Sequence, residues 1–152
     1  MQSRPGSFSW SEDLNESLNY WFWLRRVEGL ADELLLPRVL TLLRQPSADR
    51  HREVASERRW PDYMDFWPGW KQHQVAAQLE QSRVTNPRVL KEHYEVVAAV
   101  GLTSLEVQWV TAPFGQRWLF PPDAAVLGVE RANAADCRAA VLDAARALRN
   151  SG

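Results

Sequence analysis

The spacing of apolar residues changes at Gly101, and this change constrains the fold more than any other feature. Before Gly101 the apolar residues recur every three or four positions, as in amphipathic helices. From Leu105 to Trp109 they alternate with polar residues, which is typical of a strand. The turn sequence APFG at 112–115 and a second strand over 116–120 predict a hairpin, and 124–130 is a third candidate strand. A helix capped by Asn133 ends the chain.

The N-terminal half reads as helical. One helix is predicted from Asp13 to a break at Gly29, and another begins at Leu30, where Pro37 should end it, kink it or begin a new helix. The polar segment 47–58 predicts a solvated helix or a loop. The fold class is therefore α+β: a helical N-terminal half, then a helix pair over 70–100, a small antiparallel β-hairpin or three-stranded sheet, and a C-terminal helix.

Length and composition place the chain among ordinary globular proteins. With 152 residues and a hydrophobic fraction of 45%, we expect one α+β domain over 11–150, preceded by a disordered segment at 1–10. The apolar stretch 34–43 is too short to span a bilayer, so no membrane partner is predicted. Cys137 is the single cysteine, so the sequence implies no intrachain disulfide and a cytoplasmic location is expected.

Motifs for common enzyme chemistry are missing from the sequence. His51, His73 and His93 lack the spacing of a metal site, and no glycine-rich phosphate loop or GxSxG occurs. We therefore predict no metal, no cofactor and no catalytic set, and favour a protein that is not an enzyme. One alternative stays open: Asp62 and Asp65 beside aromatic residues could serve a carbohydrate-active or other hydrolytic enzyme.

The segment RRWPDYMDFWPGWK, 58–71, is the leading candidate for a recognition surface. Its prolines and glycine predict a stiff, irregular loop over 60–70, and tryptophan, tyrosine and arginine are the residues that dominate binding hot spots. At least half of its aromatic side chains should also belong to the core. We predict a binding or regulatory module that contacts a protein partner, or a second copy of itself. The predicted partner-binding residues are Arg58, Arg59, Trp60, Tyr63, Phe66 and Trp67.

A second alternative comes from the order of elements over 70–120. The stretch VAAQLEQSRVTNPRVLKEHYEVVAAVGL, followed by the hairpin at 105–120, resembles the winged helix-turn-helix family in outline. The resemblance implies a DNA-binding protein whose second helix enters the major groove. It places Asn86, Arg88 and Lys91 at the amino end of that helix and Arg117 beside the hairpin turn. The nearly balanced charge of the segment offers little neutralisation of phosphates.

Overall fold

The computed structural model describes residues 7–9, 12–72 and 94–151. Residues 94–99 are helical. The elements with described bounds are β1 (Ser7–Ser9), α1 (Glu12–Glu28), α2 (Asp32–Arg44), α3 (Ser47–Ala55), α4 (Trp60–Trp70), β2 (Ser104–Pro113), β3 (Arg117–Phe120), β4 (Ala124–Glu130) and α5 (Ala134–Ser151). This order confirms the α+β class. Within the N-terminal segment predicted to be disordered, Ser7–Ser9 instead forms a strand.

The predicted ends of several elements are confirmed. Gly29 follows α1 with a φ of 68° and donates its N–H to the Arg25 carbonyl. Gly101 follows the helical segment 94–99 with a φ of 82°, a conformation that glycine adopts without steric cost. At the start of α5, Asn133 Oδ1 accepts the N–H of Asp136 at 2.8 Å, and Asp136 Oδ2 accepts the N–H of Asn133 at 3.2 Å. This reciprocal cap fixes where α5 begins.

The sheet is mixed, with the order β1-β2-β4-β3. β1 and β4 both run parallel to β2, and only β3 and β4 are antiparallel. The expected antiparallel pairing of β2 with β3 is therefore wrong, because β4 lies between them. The physical reason is burial: β4 is buried along most of its length and suits a central position, whereas the half-buried β3 suits an edge.

α1 packs against the open side of β2 and is buried around most of its circumference. β1 pairs with β2 only over 104–106, and no strand among the described residues pairs with that side of β2 further along. Two buried asparagines of α1 take the place of the missing strand. Asn15 Nδ2 and Asn19 Nδ2 donate to the Trp109 carbonyl at 2.8 and 3.0 Å, and Asn19 Oδ1 accepts the N–H of Thr111 at 2.8 Å. Buried backbone groups need such partners.

α2 continues through Pro37, so the expected break at Leu36 does not occur. A proline here removes one backbone N–H bond within the helix. Burial of Leu35, Val39 and Leu42 on the inner side of α2 offsets that loss. Thr41 Oγ also donates to the Pro37 carbonyl at 2.9 Å. The polar segment after α2 is the helix α3, of which Val54 is buried.

Candidate functional site

The segment predicted as an irregular loop is the helix α4. Pro61 is its second residue, where the missing N–H would have no intrahelical acceptor in any case. Pro68 lies in its last turn, where it removes a single hydrogen bond. Gly69 does not have a positive φ and is compatible with a helix. The prediction was wrong because prolines near the two ends of a helix do not interrupt it.

The inner side of α4 belongs to the core. Tyr63, Trp67 and Trp70 are buried, and the Tyr63 hydroxyl donates to the Glu16 carbonyl of α1 at 2.7 Å. The Tyr63 ring meets the Tyr20 ring edge-on, with centroids 5.5 Å apart. Burial, reinforced by the nearby Glu16 carboxylate, raises the pKa of the Tyr63 phenol. These contacts hold α4 rigidly against α1.

Arg59 links α4 to the end of α1. Its guanidinium forms ion pairs with Glu28 and with Asp62, the latter at 2.9 Å, and it lies over the Trp23 ring at 5.2 Å. The hydrogen bonds to Asp62 and Glu28 raise the pKa of Arg59. Arg59 is thus occupied by intramolecular contacts, which leaves little of its guanidinium to a partner.

Three of the six predicted partner-binding residues reach the surface with groups available for contact. Trp60 and Phe66 are half-buried, and Arg58 is exposed. Trp60 rests on the Tyr63 ring, with centroids 5.3 Å apart, and Phe66 rests on Trp23 at 6.3 Å. Tyr63 and Trp67 lie in the core. Among the residues that the structure describes, Arg58 forms no ion pair.

The outer side of α4 carries a second exposed charge, the carboxylate of Asp65. At 100° per residue, Asp65 lies opposite the buried stripe of Tyr63 and Trp67. Asp65 is exposed and, within the described ranges, forms no ion pair. Arg58 lies in the turn that leads into α4, so one charge stands at the amino end of the helix and the other near its middle. Trp60 and Phe66 border this outer side on its two flanks.

Asp62 and Asp65, the carboxylates of the hydrolytic alternative, are both exposed on α4. Asp62 is ion-paired with Arg59 and so is held by an intramolecular contact. Neither residue lines the clefts described for this structure. Hydrolysis by this pair stays a prediction. Over 7–9, 12–72 and 94–151, no group of three or more His, Cys, Asp and Glu side chains is placed to hold a metal ion.

The residues of the DNA-binding alternative are mostly outside the described ranges. Asn86, Arg88 and Lys91 lie between 72 and 94, so the structure does not place them. Arg117 is exposed at the start of β3, as expected beside a turn. The strands of the predicted wing, β2 and β3, do not pair with each other. DNA binding therefore stays a prediction from the sequence.

A cleft of about 550 Å³ between the sheet and α5 was not expected from the sequence. Its walls include Phe114 and Arg117 on the sheet side and Asp143 on α5. The exposed aromatic residue in the APFG turn was the available signal, since Phe114 is 42% exposed. That Phe114 lines one cleft together with residues of α5 is a tertiary feature that local patterns do not show.

The chain matches no family model, no curated protein and no solved structure. Among the described helices, none is long and apolar enough to cross a membrane.

Proposed function

We propose that the protein is a non-enzymatic binding module that associates with a second copy of itself through the outer side of α4. The observation that carries this proposal is a pair of opposite charges, Arg58 and Asp65, that form no ion pair with any residue the structure describes. They lie at the start and on the outer side of a helix that is held rigidly to the core. A two-fold axis makes a contact self-complementary: residue i meets residue j, and j meets i. Two antiparallel α4 helices would bring Arg58 of each chain to Asp65 of the other.

The residues around these charges support a helix–helix contact. The half-buried Trp60 and Phe66 border the outer side and offer aromatic area at its margins, and aromatic residues are enriched in interfaces. α4 is already fixed by Tyr63 and Arg59, so its backbone loses little conformational entropy on binding. A net charge of −1 provides little overall repulsion between copies.

The contact is expected to be weak. Stable interfaces bury about 800 Å² per partner, and one helix of 11 residues presents less. We expect a dissociation constant of about 10–100 μM for the dimer. Sedimentation velocity over a dilution series that spans this range should show a reversible shift from dimer to monomer.

The variant Arg58→Glu tests the surface, because it places like charges opposite each other twice in the symmetric dimer. We expect it to sediment as a monomer over the same range. Its matched control is Arg146→Glu, which makes the same charge reversal at an exposed arginine of α5. Dimerisation that survives Arg58→Glu, or that is lost in Arg146→Glu, would contradict the proposal. A wild-type chain that is monomeric throughout would leave a different protein as the partner and overturn self-association.

A further inference from the structure

The cleft beside α5 lies next to the carboxyl end of β2. Residues 114–116 directly follow that end, and β4 runs parallel to β2 beside them. In open α/β sheets the carboxyl ends of parallel strands form ligand sites, and the end of β2 offers similar backbone groups here. The volume of about 550 Å³ falls in the range of small-ligand sites.

Small residues form part of the floor and part of one wall of the cleft. Gly128 belongs to the floor, where the close approach of the β2 backbone requires glycine: a Cβ would collide with the Pro113 carbonyl oxygen and approach the Ala112 carbonyl oxygen to 2.8 Å. On α5, Ala139 and Ala140 share a side with Asp143, three or four residues further along. The small residues leave room for a ligand between the sheet and the helix.

Two opposite charges line the cleft without meeting. Arg117 stands on the sheet side and Asp143 on the helix side, and both are exposed. In the part of the chain that the structure describes, neither forms an ion pair, either with the other or with a third residue. Phe114 and Leu127 supply apolar surface on the same walls. A cleft lined by a cation, an anion and apolar surface is complementary to a ligand that carries an anion, a cation and an apolar group.

We propose that this cleft binds a small zwitterion of the amino-acid or short-peptide class. Its carboxylate pairs with the Arg117 guanidinium, which matches a carboxylate in geometry, and its ammonium pairs with Asp143. An apolar side chain rests on Phe114 and Leu127. Because Arg117 and Asp143 form no ion pair with each other, both can face the two charges of one ligand. This site is separate from the α4 surface and does not depend on self-association.

The probe is the dipeptide alanyl-phenylalanine, titrated into ¹⁵N-labelled protein up to about 10 mM. We expect a dissociation constant of about 0.1–1 mM, with shifts of the Gly115, Gln116, Gly128 and Ala140 amide signals. N-acetylated and C-amidated forms of the dipeptide each lose one charge and should each bind about fivefold more weakly, a modest factor because both charges are exposed. Free phenylalanine in a parallel titration distinguishes an amino-acid ligand from a peptide.

Two variants each remove one of the two charges of the cleft, and a third controls for the change in net charge. Arg117→Gln should lower the affinity for the free dipeptide about fivefold and leave the affinity for the amidated form unchanged. Asp143→Asn should lower the affinity for the free dipeptide by the same factor and leave the affinity for the acetylated form unchanged. Arg146→Gln removes an exposed arginine of α5 that does not line the cleft, and should change neither. The proposal is overturned if the cleft amides do not shift, if the blocked dipeptides bind as well as the free one, or if the Arg146 variant matches the Arg117 variant.

Discussion

The two asparagines by which α1 completes the edge of β2 give a quantitative prediction. Asn19→Ala removes the side-chain acceptor of the buried Thr111 N–H. Leaving a buried donor unsatisfied costs about 1–3 kcal/mol. The Trp109 carbonyl keeps its hydrogen bond from Asn15 at 2.8 Å, so losing the second bond from Asn19 costs little. We expect Asn19→Ala to lower the free energy of unfolding by about 2–3 kcal/mol.

Asn15→Ala is the matched control for this experiment. Both asparagines lie on α1 and are at most 1% exposed, so the gain in helix propensity on mutation to alanine cancels between them. Asn15→Ala leaves the Trp109 carbonyl bonded to Asn19 and orphans no backbone group of β2, but it removes the donor to the buried Gln108 Oε1 at 3.1 Å. Because an unsatisfied buried acceptor also costs about 1–3 kcal/mol, we expect Asn15→Ala to be destabilised to a similar extent. The two variants should differ in where the structure is weakened, since only Asn19→Ala leaves the Thr111 N–H without its acceptor.

Urea unfolding followed by tryptophan fluorescence measures both variants, provided the denaturant slope is unchanged. Amide hydrogen exchange at Thr111 gives a local readout, because its protection should fall in Asn19→Ala and persist in Asn15→Ala. Equal protection of the Thr111 amide in the two variants, or unchanged protection in Asn19→Ala, would refute the substitution of α1 for a strand.

Two further predictions concern the glycine of β4 and the alkaline limit of stability. Gly128→Ala forces a methyl group into the Pro113 carbonyl and should lower the free energy of unfolding by about 3 kcal/mol. The methyl group of Gly69→Ala in α4 meets nothing within 4 Å, and this variant should be more stable than the wild type by about 0.5–1 kcal/mol. Equal effects of the two substitutions in thermal unfolding would refute this prediction. Burial, with Glu57 and Glu28 nearby, raises the pKa of Tyr20 to about 12, above its unfolded value of about 10. The folded state therefore binds the phenolic proton of Tyr20 more tightly than the unfolded state does. The protonated phenol contributes its full share to the free energy of unfolding below about pH 10, and this share is lost as the pH rises to about 12. Urea midpoints measured across this window should fall less steeply in Tyr20→Phe; an unchanged slope would contradict the assignment.

Much of the fold could be predicted from the sequence because local rules determine it. The apolar period, the caps and the stop signals at Gly29 and Gly101 depend on residues within one or two helical turns. Burial of Cys137, Val141, Ala144 and Leu148 along one side of α5 follows directly from that period. The order of the strands could not be predicted in the same way, since the choice between β3 and β4 as the partner of β2 depends on burial in the assembled sheet.

The candidate sites also combine features that local sequence determines with features that depend on tertiary packing. The aromatic composition of 58–71 correctly indicated residues shared between core and surface, but proline count alone gave the wrong backbone conformation for α4. Once the segment is a helix, spacing becomes informative, because it places Asp65 opposite the buried stripe of Tyr63 and Trp67. The cleft could not be predicted, because Arg117 and Asp143 line the same cleft only when α5 packs against the sheet.

Mixing two charge-reversed variants tests the proposed self-association most directly. In Arg58→Glu the symmetric dimer sets the new glutamate against Asp65, and in Asp65→Lys it sets the new lysine against Arg58, so each variant alone should sediment as a monomer. In the mixed dimer both contacts join opposite charges, and we predict that an equimolar mixture forms dimers with an affinity close to that of the wild-type chain. A mixture that stays monomeric while the wild type dimerises would show that α4 is not the contact surface and would contradict the account.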